Sequence, residues 1–207
     1  MGYEAEYYFV DLDGTLVNPR PGAMAPGRLL HGNFLFPIIR DLMVKNGWPR
    51  ERAETAIADH IREQPFWDYP DFMAEFGLPA GESHRRFRAW HRDNLIAVDK
   101  TVQLVRDLRA AGKKLLVLSN NPHSGCCWKV EAAGLGDGFG SPYFHRILGT
   151  DQMRGCKGAP GVWERALARI PAPPSAVGVI GDNPVEDGEI PRSLGVAEIH
   201  LIAEHAN

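Results

Sequence analysis

Asp11 and Asp13 stand at the end of a short apolar run, Tyr7-Tyr8-Phe9-Val10, and are followed by Gly14 and Thr15. Strand side chains repeat every second residue, so both acids should leave the strand end toward one side. Like charges that close repel, which implies a cation. Gly14 lets the chain turn behind them. Three later stretches carry matching chemistry. Leu115 to Leu118 ends in Ser119-Asn120-Asn121, Lys157 precedes Gly158-Ala159-Pro160, and Val177 to Ile180 ends in Gly181-Asp182-Asn183, with Glu186 and Asp187 close behind. A hydroxyl at Ser119 and the backbone N–H of Asn120 can donate to phosphate oxygens. Taken singly, each stretch has a plainer reading. Asp-x-Asp-Gly is a common polar turn, a strand-end serine is a cap, and a lysine is usually solvated.

The elements that must hold these residues follow from periodicity. Tyr7 to Val10, free of charge, reads as an interior parallel strand. Carboxylates at the C-terminal edge of such a sheet lie where open α/β folds bind ligands. Further strands are expected at 115–118, 144–148, 177–180 and 199–202. Between them come a helix capped by Asp99 and stopped by Gly112, a helix over 124–133 ended by Gly134, a stripe of Trp163, Ala166, Leu167 and Ile170 behind Pro160, and a short helix around Arg192 and Leu194. Strands alternating with helices give an α/β fold with a doubly wound, Rossmann-like parallel sheet. Between the first two strands, Asn18 to Gly27 is rich in proline and glycine and reads as a loop. From about Leu35 to Leu95 the apolar spacing is helical, with no strand-like run. The organisation is therefore an α/β core over 1–17 and 98–207 with an α-helical insertion over 18–97.

The chain has 207 residues, 44% of them hydrophobic and 24% charged, enough for one substantial core and a small insertion. A formal net charge of −3 gives no reason to expect nucleic acid or an anionic membrane as a partner. No apolar run reaches a membrane span, and the first residues lack the basic and apolar regions of a signal peptide, so a cytoplasmic location is the expectation. Nothing in the sequence sets an oligomeric state. Cys126, Cys127 and Cys156 are odd in number and two are adjacent, which argues against a disulfide framework. With His123 or His145 nearby they match zinc-ligand spacing poorly.

The ordered set Asp11-x-Asp13, Ser119, Lys157 and Gly181-Asp182 with a second acid resembles the haloacid dehalogenase (HAD) superfamily over nearly the whole chain. The insertion resembles the small helical cap, the C1 type, of its phosphatase-like branch. The resemblance implies a phosphatase acting on a small phosphorylated metabolite through an aspartyl-phosphate. Asp11 would be the nucleophile and Asp13 the general acid and base. Ser119, Asn120 and Lys157 would bind the phosphoryl group. Magnesium would be held by the carboxylates of Asp11 and Asp182, the backbone carbonyl of Asp13 and a second acid. Asp187 is favoured for that last place, with Glu186 the alternative. Substrate choice would fall to the cap and its lead-in, where Arg20, Arg28, His31 and Trp67 are candidates. A dehalogenase needs no proton for its halide, which Asp13 argues against. A phosphomutase would keep every core residue named and differ in its cap. A silent binding protein would be expected to lack one of the charged groups.

Overall fold

The computed structural model describes residues 2–23, 36–64 and 68–202. Its centre is β1 (Tyr7–Val10), every residue of which is buried. It pairs in parallel with β4 (Lys114–Leu118) on one side and β6 (Val177–Gly181) on the other. Adding β5 (Phe144–Leu148) and β7 (Glu198–Leu201) gives a five-stranded parallel sheet in the order β5-β4-β1-β6-β7.

The two-residue strand period divides the core between the two faces. Tyr8 and Val10 join Leu115, Val117 and Ile180 in a layer with Val105 of α5 (Asp99–Ala110) and Val130 of α6 (His123–Ala132). Tyr7 and Phe9 face the other way, where they meet Val179, Met153 of α7 (Thr150–Met153) and Trp163 of α8 (Val162–Leu167). Phe9 packs edge-on against Trp163, with ring centroids 5.5 Å apart. Each such fully buried side chain contributes about 1.5–3 kcal/mol relative to exposure. The doubly wound sheet read from the sequence is the one observed. Asp99 is not an N-cap, however. It is the first residue of α5, behind Val98, and makes no capping hydrogen bond, although its charge still suits a helix N-terminus.

The lead-in to the insertion also differs from the loop expected there. Val17–Pro19 forms β2, antiparallel to β3 (Leu95–Ala97), so a two-stranded ribbon carries the chain out of the core and back. Three residues containing Asn and Pro offer no periodic signal, and a proline is tolerated because the ribbon leaves an open edge. Between these strands lie α1 (Phe36–Lys45), α2 (Arg50–Glu63), α3 (Tyr69–Glu75) and α4 (Ala80–Asn94). They bury their own apolar cluster, including Leu42, Phe72 and Phe87, and into it the core helix α6 sends Trp128. Trp128 stacks on Tyr69 with centroids 5.1 Å apart. Arg88 of α4 donates to Glu131 of α6 at 2.7 Å, and the Ser124 hydroxyl donates to Asp68. Among the described residues no helix is long and apolar enough to cross a membrane, and the three cysteines are free.

Candidate active site

The C-terminal ends of β1, β4 and β6 bring the expected residues to one edge. Asp11 prolongs β1 by one bond, its N–H donating to Ile180 O at 2.9 Å. The chain then folds sharply, with Leu12 O accepting from Leu16 and Val17, and Gly14 takes φ +75°. A Cβ on Gly14 would lie 2.2 Å from Asp182 Oδ2, so only glycine lets this turn pass so close to the acid. Oxygens of Asp11, Asp182 and Asp187 all come within 4.8 Å of one another. Lys157 Nζ, buried, stands 2.9 Å from Asp11 Oδ1 and 2.6 Å from Asp187 Oδ1.

Glu186 and Asp187 are sent in different directions by a π-helical turn over Pro184–Glu189, a local form that often marks functional sites. Asn183 starts it by accepting from the N–H groups of Val185 and Glu186. The wide turn sends Asp187 inward beneath Gly181, where a Cβ would be 2.3 Å from its Oδ2. Glu186 points elsewhere, accepting from Asn120 Nδ2 at 2.7 Å. Asn120 Oδ1 in turn accepts from the Lys157 N–H at 2.6 Å. The Asn120 side chain thus braces the lysine loop, a role distinct from the backbone donor read from the sequence.

Burial pushes the Asp11 carboxyl up to about 6; Lys157 opposes the rise, and Asp187 and Asp13 add to it. Burial and the Asp11 charge likewise push Asp182 up to about 6. Burial raises Asp187 as well, against Lys157. Burial works against the Lys157 ammonium, but Asp11 and Asp187 outweigh it and hold that lysine protonated. Three carboxylates against one ammonium leave an excess of negative charge at this point.

Asp13 has a different environment from its neighbour. Its side chain is half exposed and does not join the carboxylate cluster; both of its oxygens meet Lys129 of α6, at 2.7 Å and 2.6 Å. Asn121 Nδ2 donates to Asp13 Oδ2 at 2.6 Å and to Ser119 Oγ at 2.9 Å. Burial would raise Asp13, yet Lys129 and Asn121 hold it below the ordinary aspartate value. The Asp13 charge is met by Lys129, a lysine of the protein itself. Neither Lys129 nor the Asn121 side chain was singled out from the sequence. The available signal was a lysine inside the short uncharged run Gly125-Cys126-Cys127-Trp128 and Val130 of this helix. Of the substrate candidates, Arg20 is exposed just beyond β2, its N–H on Asn94 O and its charge felt by Asp93. No contact among the described residues joins Arg20 to the carboxylates. Arg28, His31 and Trp67 lie outside the described residues.

The close approach at Gly14 is testable. Gly14→Ala should lower stability by about 1–3 kcal/mol through overpacking and weaken magnesium binding by displacing Asp182. Gly22→Ala shares the left-handed backbone, at φ +78°, but has nothing within 4 Å among the described residues, so it should show the backbone cost alone. Thermal melts and magnesium calorimetry on both variants check this. Equal magnesium affinities would refute the Asp182 displacement.

A sequence model of the haloacid dehalogenase-like hydrolase family matches residues 6–195. A search of curated proteins returned no match. Several solved structures superpose over nearly the whole chain. A HAD phosphatase from Thermococcus onnurineus is 20% identical with a TM-score of 0.61, covering 98% of this chain and 88% of that one. A HAD family enzyme from Bacteroides thetaiotaomicron, solved with magnesium and inorganic phosphate, is 14% identical with a TM-score of 0.59, covering 98% and 96%. An L-2-haloacid dehalogenase is 19% identical with a TM-score of 0.57, covering 99% and 91%. At these identities the likeness speaks to the fold, which phosphatases and dehalogenases share; the chemistry has to be argued from the side chains.

Proposed function

The chain belongs to the haloacid dehalogenase-like hydrolases, and within that family we propose that it is a magnesium-dependent phosphatase acting on a small phosphorylated metabolite through an aspartyl-phosphate at Asp11. The observation that carries this reading is the oxygen-only cluster of Asp11, Asp182 and Asp187 with buried Lys157 against it. Hard oxygen donors suit magnesium, and two carboxyls raised to about 6 mark a place where a cation would relieve repulsion. Asp11, Asp182, the Asp13 carbonyl and Asp187 would hold the ion. When bound it supplies charge neutralisation for the approaching phosphate.

The protein's own groups divide the remaining work. Asp11 attacks phosphorus, splitting one difficult displacement into two. Lys157 balances charge on the nucleophile and the transferring group. The Ser119 hydroxyl donates to a phosphoryl oxygen. Asp13 gives a proton to the leaving oxygen and then takes one from water. Lys129 favours the ionised form of Asp13, the form the second half-step uses. A dehalogenase would have no use for this acid, so the presence of Asp13 favours phosphate ester chemistry, whose first half-step needs it protonated against the bias set by Lys129. Residues 18–97 are the proposed cap and the place where substrate is selected. The net charge of −3 favours neither nucleic acid nor an anionic membrane as a partner, and a cytoplasmic location is part of the proposal.

The test is phosphate release across a panel of phosphorylated metabolites, with magnesium and with chelator. A single turnover in ¹⁸O-labelled water should place the label in the released phosphate. An isomerised, unlabelled phosphate ester with little free phosphate would instead mark a phosphomutase.

A further inference from the structure

Lys129 lies in the stretch of α6 that buries Gly125, Cys126, Cys127, Trp128 and Val130. A lysine is almost never fully buried unless paired, and this one is 1% exposed. Its Nζ straddles the Asp13 carboxylate, 2.7 Å and 2.6 Å from the two oxygens, and lies 2.7 Å from Asn121 Oδ1. Asn121 closes the arrangement through Asp13 Oδ2 and Ser119 Oγ. Beneath an acid whose side chain is 53% exposed there is therefore a rigid, buried support. Stability does not explain it. Replacing both members of a buried ion pair by apolar side chains is often neutral or stabilising, whereas removing one member strands the charge of the other. The donors are also unevenly shared. Among the described residues Asp13 Oδ2 accepts from both Lys129 and Asn121, and Oδ1 from Lys129 alone. A carboxylate oxygen accepts at two lone pairs, so Oδ1 retains one on which the proton passed to the leaving oxygen can sit.

We propose that Lys129 is a positioning residue: clamped under Asp13, it aims Oδ1 at the leaving-group oxygen, and Asn121 ties that aim to the phosphate-binding Ser119. What the aimed oxygen does rests on the phosphatase reading; the clamp itself does not.

The experiment compares wild type, Lys129→Met and Lys129→Arg on two esters with magnesium present. One is an alkyl phosphate, glycerol 2-phosphate, whose leaving oxygen needs a proton. The other is p-nitrophenyl phosphate, whose leaving group needs little help. Because kcat/KM reports steps through departure of the leaving group, Lys129→Met should lower it by about 100-fold or more for the alkyl ester, the scale of a misplaced catalytic group. The aryl ester should lose less than about tenfold, well below the usual general-acid contribution. Lys129→Arg should recover part of the loss. Crystal structures of wild type and Lys129→Met should show the Asp13 carboxylate displaced in the variant. Equal losses on both esters, or an Asp13 that has not moved, would overturn the proposal. Should Lys129→Met not fold, Asn121→Ala must show the same selectivity for the alkyl ester, and its absence counts equally against the idea. Should wild type hydrolyse neither these esters nor any member of the metabolite panel, the phosphatase reading falls, and the position of Asp13 in the Lys129→Met and Asn121→Ala crystal structures alone decides the clamp.

Discussion

Asp11→Asn should abolish turnover, by about 10⁴-fold or more, as loss of an essential nucleophile does in other hydrolases, while the fold survives. The amide is nearly the same size, but it is a very poor nucleophile and a weaker ligand for a hard cation. Its effect on stability should run the other way. Asp11 is buried beside Asp182 and Asp187, and burial raises its carboxyl from 3.8 to about 6. Ionising it in that setting costs about 2–3 kcal/mol at neutral pH. Lys157 still keeps Asp187, at 2.6 Å, when the Asp11 charge is removed. In chelator the variant should therefore melt at or above the temperature of wild type, although it turns nothing over. Activity within about tenfold of wild type, a difference of only ~1.4 kcal/mol, would remove Asp11 from the nucleophile's role.

Removing divalent metal should silence the enzyme reversibly, with magnesium restoring it. Calcium should inhibit, because its looser and longer coordination spoils the alignment that phosphoryl transfer needs. Asp182→Ala should weaken magnesium binding and, at fixed magnesium, activity. A pH signature follows that does not depend on turnover. Asp11 and Asp182 both titrate at about 6 in the folded chain against an ordinary 3.8. A carboxyl raised by folding contributes its stability below the ordinary value and loses it as pH rises through the folded one. Metal-free wild type should thus lose stability relative to Asp182→Asn between about pH 4 and pH 7. Magnesium needs the ionised carboxylates, so it should raise the melting midpoint strongly near pH ~7.5 and little near pH ~5. Calorimetric melts across that range decide the matter. A magnesium shift that is the same at both ends, or full activity in excess chelator, would contradict the metal scheme.

The sequence alone determined the parts of this protein that are local. Tyr7 to Val10 and Phe144 to Leu148 are the observed β1 and β5, and the expected strands at 115–118 and 177–180 lie within β4 and β6. An uncharged apolar run such as Tyr7–Val10, 115–118 or 177–180 announces a buried strand, and the residue after it must emerge at the sheet edge. That is why Asp11, Ser119 and Asp182 could be named before their neighbours were known. Tertiary structure decided what depends on distant contacts. Glu186 and Asp187 are adjacent and chemically alike; a π-helical turn, tied down by Trp163 Nε1 donating to Glu186 O at 2.7 Å, aims one at Lys157 and the other at Asn120. The ribbon of β2 and β3 exists only because segments on either side of the inserted helices meet. Lys129 is a lysine in a helix until folding carries it across 116 positions to Asp13. Periodicity reveals which face of an element is buried, whereas a charge on that face is understood only once its partner is seen, because pairing offsets the cost of its desolvation.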